Sequence, residues 1–142
     1  MQYDKNNKIV KLCASGMELE GQGKNTEALE LFFQAWIEAR NDLEKFTAAH
    51  YIARHQNNLL DKLKWDQTAL SLALKINDAN VKGALPSLYL NVAKCYEDLN
   101  DFINARKNYE EAKLFTEFLP LDGYGNMIRK GITNGLDRVS SF

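Results

Sequence analysis

The sequence predicts an all-α protein assembled from consecutive helix pairs, and three observations carry that prediction. Apolar residues recur three and four apart through seven successive segments, the period of a helix face buried against a neighbour. Only two prolines, Pro86 and Pro120, interrupt the 142 residues, so long helices are permitted over most of the chain. An alanine-centred pattern occurs three times, as Ala28-x3-Phe32-x2-Ala35, Ala69-x3-Ala73-x2-Ile76 and Ala105-x3-Tyr109-x2-Ala112, its starts 41 and 36 residues apart.

The first helix is expected from about Lys8 to Gln22, with Ile9, Leu12, Gly16 and Leu19 on one stripe and Gly21 and Gly23 ending it. Asn25 reads as the N-cap of a second helix whose apolar face is Ala28, Leu29, Phe32, Ala35, Trp36 and Ala39. The short turn between them forces antiparallel packing. A third helix spans about Leu43 to Gln56, with Phe46, Ala49, Ile52 and Ala53 inward. A fourth follows the break at Asn57 and Asn58, and Trp65 is large enough to anchor it against a neighbour. The fifth starts either at Pro86, where proline suits the first turn, or near Ala79 with a kink at Pro86, and ends near Asn100. Asp101 caps a sixth that runs to about Phe118, where Pro120, Asp122 and Gly123 break it. The seventh, Tyr124 to about Val139, places Tyr124, Met127, Ile128, Ile132, Leu136 and Val139 on one side, and Arg129, Lys130, Asn134, Asp137 and Arg138 on the other. A helix with one polar side is what the exposed last pair of a stack needs as a cover.

The first helix of each pair carries a small residue, Gly16, Ala53 and Ala93, which lies 12, 16 and 12 residues before the alanine of its second helix. The four extra residues of the middle pair amount to about one helical turn, placed near Asn57 to Lys64. The combination Tyr89, Ala93, Tyr96, Ala105, Tyr109 and Ala112 resembles a tetratricopeptide repeat, whose period is about 34 residues. Leu12, Gly16, Leu19, Ala28, Phe32 and Ala35 match the same pattern, while the middle pair departs from it at Ala73 and Ile76. The stretches AHYIARHQ (Ala49 to Gln56), PSLYLN (Pro86 to Asn91) and YGNMIRKGI (Tyr124 to Ile132) look similar to a group of small bacterial tetratricopeptide-repeat proteins. The resemblance implies a right-handed α-solenoid of three helix pairs plus a C-terminal capping helix. Residues 1–142 then form one domain, with repeats over about 8–42, 43–78 and 79–119 and the cap over about 122–139.

Composition narrows the function. Lysine and arginine total 18 against 19 aspartates and glutamates, so no global basic field favours nucleic acid or an anionic membrane. No stretch approaches the roughly 20 apolar residues that span a bilayer, and the N-terminus lacks the apolar core of a signal peptide. Cys13 and Cys95 belong to no CxxC or Cys/His cluster, so the expected location is the cytoplasm with both thiols reduced. Gly21-Gln22-Gly23-Lys24 is too short for a phosphate loop. His50 and His55 lie about 140° apart around a helix and cannot share a metal from one face. Glu110 and Glu111 are adjacent and diverge, which suits a solvated face better than acid–base work. The sequence therefore points to no enzyme activity, cofactor or metal.

In tetratricopeptide arrays the first helix of each pair lines a concave groove. Carried onto Gly16, Ala53 and Ala93, that arrangement nominates Cys13, Ala14 and Met17, then His50, Tyr51 and Arg54, then Leu90, Asn91 and Lys94, with Glu20 and Glu97 one turn further on. Arg54 is suited to a bidentate carboxylate grip, Asn91 to a peptide backbone and Lys94 to a negative charge, with Arg129 extending the set. The carboxylate clamp known in chaperone adaptors uses a lysine and an asparagine in its first repeat, where this chain has Cys13 and Met17, so the set is incomplete. The resulting expectation is an adaptor that binds a protein or peptide bearing an acidic group. The alternatives are a self-associating structural module, which would make a homo-oligomer, and a regulatory domain that senses a ligand.

Overall fold

The computed structural model describes residues 6–142; the start of the N-terminal stretch, residues 1–5, lies outside them. Among the described residues there are seven α-helices and no strand. They are α1 (Lys8–Gly21), α2 (Asn25–Glu38), α3 (Asp42–Arg54), α4 (Leu59–Leu74), α5 (Ala79–Asp98), α6 (Phe102–Leu114) and α7 (Gly123–Val139), with a 3-10 turn at Thr116–Phe118. Helices α1 to α4 form one compact unit that ends at Ile76, and α5 to α7 form a second that starts at Asn77.

Side-chain caps explain most of the starts. The Asn7 carboxamide accepts from the backbone N–H of Ile9 and Val10, and Asn58 does the same for Leu60 and Asp61. Asn41 caps α3 while Glu44 reaches back to the Arg40 N–H at 2.9 Å, a variant of the capping box. Asp78, Asp101 and Asp122 cap α5, α6 and α7. Asn25 is a correction to the expectation: it is the first residue of α2, the cap position is Lys24, and no side chain bonds there. The fifth helix starts at Ala79, because Asp78 satisfies its first N–H groups, and Pro86 lies inside it. Asn100, at φ 64°, makes the left-handed residue that closes α5, a role a short polar side chain tolerates. The sixth helix stops at Leu114, earlier than expected, and a separate 3-10 turn follows.

The first unit is built around Phe32, fully buried with Ala28, Ala35, Ile9, Cys13, Ala48 and Ile52. A Cβ added to Gly16 would lie 2.4 Å from the Phe32 ring, so glycine there sets the closeness of α1 and α2. Trp65 on α4 meets Trp36 edge-on, at 5.1 Å between centroids and 88°. The second unit is built around Tyr109 in the same way, with Ala93, Ala105 and Val139 against it and Ala112, Leu119, Ile128 and Ile132 alongside.

The two units repeat a plan in detail. A shift of 77 residues carries Gly16, Glu20, Ala28, Phe32 and Ala35 onto Ala93, Glu97, Ala105, Tyr109 and Ala112. Helix α3 then has its counterpart in α7, displaced by 84: Tyr51, Arg54 and His55 correspond to Gly135, Arg138 and Val139. Tyr51 stacks on Phe32 at 4.9 Å, and Gly135 approaches Tyr109 so closely that a Cβ would lie 2.3 Å from its ring. Arg54 pairs with Glu20 at 2.7 Å, and Arg138 with Glu97 at 2.8 Å. In this register the buried Phe46, Ala49 and Ala53 of α3 become Lys130, Thr133 and Asp137 on α7, all exposed. Helix α7 thus packs as α3 does, and is polar where α3 is apolar.

Candidate binding site

Two helices of the first unit supply a pocket. Val10, Cys13, Ala14 and Met17 recur three or four apart on α1, and Thr47 and Tyr51 sit one turn apart on α3. Together they line a largely apolar cavity of about 150 Å³. The Tyr51 hydroxyl donates to the Met17 Sδ at 3.0 Å, which ties the two walls together. The Tyr51 ring lies nearly parallel to Phe32, at 12° between planes, so the core fixes its orientation. Burial pushes the Cys13 thiol up to about 11, so it stays protonated at neutral pH and acts as an apolar wall.

A polar cluster borders this pocket. Arg54 covers the Tyr51 ring at 4.6 Å and donates from one nitrogen to both Glu20 oxygens, at 2.7 and 2.9 Å. The His55 Nε2 shares the same carboxylate at 2.5 Å, while its ring stacks on Phe32. His50 is half-buried between Phe46 and Tyr51. Burial first, and the Arg54 charge second, hold its pKa below the ordinary value, so it is neutral at pH 7.

The nominated residues fare unequally. Met17, His50, Tyr51 and Arg54 gather in the first unit around this pocket, with Met17 about half exposed. Arg54 is partly engaged, because Glu20 takes one of its guanidinium nitrogens while the side chain stays about half exposed. In the second unit Leu90 turns toward α7, 3.2 Å from where a Cβ of Gly131 would sit, and packs on the core. Lys94 pairs with Asp98 at 2.7 Å one turn along its own helix. Asn91 is half-buried on α5. Arg129 clasps the carbonyls of Thr116, Leu119 and Pro120 at 3.1 to 3.4 Å, which terminates the 3-10 segment.

Sequence reasoning missed Val10 and Thr47, though each lies one turn from a nominated residue. It also placed Glu20 and Glu97 as groove residues, whereas each is the centre of an ion-pair cluster. Glu97 accepts from Arg138 and from the Tyr109 hydroxyl, the latter at 2.7 Å, and the Arg138 hydrogen bond chiefly depresses its pKa. Among the described residues no group of three or more His, Cys, Asp or Glu side chains is arranged to hold a metal ion. No helix among them is long and apolar enough to cross a membrane. No protein-family model matches the chain, and no curated protein or solved structure matches it.

Proposed function

We propose that the chain is a tetratricopeptide-like scaffold: a right-handed helical stack, without enzymatic activity, that works in the cytoplasm as an adaptor for a protein or peptide. The helix order supports this reading, with three neighbouring pairs, α1 with α2, α3 with α4 and α5 with α6, and a last helix whose exposed positions are mostly polar. So does the repeated packing of a small residue of the first helix with the buried aromatic of the second, Gly16 with Phe32 and Ala93 with Tyr109.

The observation that carries the binding function is the pocket between α1 and α3, the first helices of two successive pairs. At about 150 Å³ it equals the volume of an engineered apolar cavity that accepts benzene, so one leucine or phenylalanine side chain fits. Recognition is then apolar first. A ligand carboxylate at Arg54 would also stand beside Glu20, whose like charge offsets part of the attraction. The preformed walls keep the ordering cost of binding small.

The test is selection of peptides from a displayed library on the immobilised protein, followed by titration against Ala14→Phe. Ala14 is exposed on α1, so the larger side chain enters the pocket mouth without disturbing the core. Selected peptides should share one large apolar residue, and Ala14→Phe should weaken them roughly ten- to hundredfold, the worth of burying such a side chain. Equal binding to both proteins would exclude the pocket.

A further inference from the structure

The second unit holds a cleft that the α1–α3 pocket does not involve. It measures about 360 Å³ and is lined by Lys113 and Thr116 beside the end of α6, and by Arg129, Ile132, Thr133, Leu136 and Asp137 along α7. Its lining is ordered by charge. Arg129 donates to the Thr116 carbonyl, and Thr116 Oγ1 donates to the Lys113 carbonyl, so Lys113 and Arg129 both stand at the Thr116 end. Asp137 follows Arg129 by eight residues, about 12 Å along the helix. Leu136, half-buried, supplies apolar surface between, over the buried Ile132, and Thr133 a hydroxyl.

These charges are not spent on each other. Every oxygen that Arg129 meets is a carbonyl or the Asn126 carboxamide, at 3.1 to 3.4 Å, longer than the 2.7 to 2.9 Å of a bond between two ions. The Lys113 ammonium and the Asp137 carboxylate enter no ion pair among the described residues, whereas Glu97, Asp98 and Arg138 in the same unit all do.

We propose that this cleft binds a short extended peptide segment with an acidic side chain at the Lys113–Arg129 end, an apolar side chain over Leu136, and a basic side chain at Asp137. A strand advances about 3.3 Å per residue and alternates its faces, so charged residues four positions apart span the cleft on one face, with the residue midway between them facing Leu136. A purely anionic ligand would meet Asp137, and a purely cationic one Lys113 and Arg129. The cleft selects for a dipolar arrangement.

The test uses the full chain and three pentapeptides, acetylated and amidated so that only side chains carry charge. All carry leucine at the centre with an alanine on either side of it; one ends in glutamate and lysine, one in two glutamates and one in two lysines. Binding is followed by amide chemical shifts, which separate this cleft (Thr133, Leu136) from the first-unit pocket (Ala14, Thr47). The mixed peptide should shift Thr133 and Leu136 and bind roughly threefold tighter than either other peptide, the worth of one half-exposed charge pair. Asp137→Lys should reverse the order in favour of the two-glutamate peptide, and Lys113→Glu, with Arg129 left to offset it, should erase the preference for the mixed peptide over the two-lysine one, each with amide dispersion unchanged. An unaltered order in both variants, or no shift at Thr133 and Leu136 at millimolar peptide, would overturn the proposal. Shifts confined to Ala14 and Thr47 would overturn it while leaving the α1–α3 pocket standing.

Discussion

Two glycines four residues apart on α7 should respond to the same substitution in opposite directions. At Gly135 an added Cβ would lie 2.3 Å from Tyr109 Cε1 and 2.4 Å from Cζ, while Tyr109 is completely buried. The ring would have to retreat by about 1 Å, and it is pinned by its hydroxyl, which donates to Glu97 at 2.7 Å. Alanine recovers about 1 kcal/mol of helix propensity over glycine. Against that stand overpacking, about 1–3 kcal/mol, and a strained or broken bond to a carboxylate, about 1.5–3 kcal/mol. Gly135→Ala should therefore destabilise by about 2–4 kcal/mol. At Gly131 the nearest atom is the flexible Leu90 Cδ2, at 3.2 Å, which can yield by a few tenths of an ångström. There the propensity gain prevails, and Gly131→Ala should be neutral or stabilising by up to about 1 kcal/mol. Urea unfolding followed by far-ultraviolet circular dichroism reads both variants. Trp36 and Trp65, the two tryptophans, lie in the first unit and do not report on this contact directly. A Gly135→Ala variant as stable as the parent would refute the close approach of α7 to Tyr109.

Other consequences are testable by the same means. Arg138 and Tyr109 hold the Glu97 carboxyl below its ordinary value of about 4.3, so the unfolded chain takes up that proton first as the solution is acidified. The stability from Glu97 is fully present above the ordinary value and is lost as pH falls through the folded one. Glu97→Gln should lower the urea midpoint at pH 6 and flatten its decline below about pH 4; an acid limb as steep as the parent's would exclude Glu97 as its source. Asn58→Ala should cost about 1 kcal/mol because two N–H groups lose their acceptor, whereas Asn25→Ala should be near neutral. Equal losses at the two asparagines would mean that the cap assignments are wrong.

Local order was legible in the sequence because the signals are local. The stripe through Ala28, Phe32 and Ala35 and the aspartates before α5, α6 and α7 are read within one turn. Asn25 misled because a good capping residue also serves as a first helical residue, and only backbone geometry separates the two. The start of α5 was ambiguous because Pro86 is compatible with a first turn and, with its ring packed inward, with a helix interior.

The binding residues were harder, for a different reason. Arg54 and Lys94 look available in a linear reading, but their partners Glu20 and Asp98 lie 34 and four residues away, and side-chain reach decides whether a pair closes. Leu90 was assigned to open surface because α7, 41 residues on at Gly131, could not be placed against it. One signal was present: a glutamate stands four residues after the small anchor in both units, at Glu20 and Glu97, which marks a shared structural duty.

Each unit also carries one cysteine, Cys13 in the first and Cys95 in the second, both almost fully buried and neither in a disulfide. A thiol that alkylates only when its surroundings open is a native clock for that opening. Exposing the unmodified chain to a thiol reagent and following the two sites by peptide mass would time the breathing of each half separately. Occupation of the α1–α3 pocket, whose wall includes Cys13, would then slow one clock.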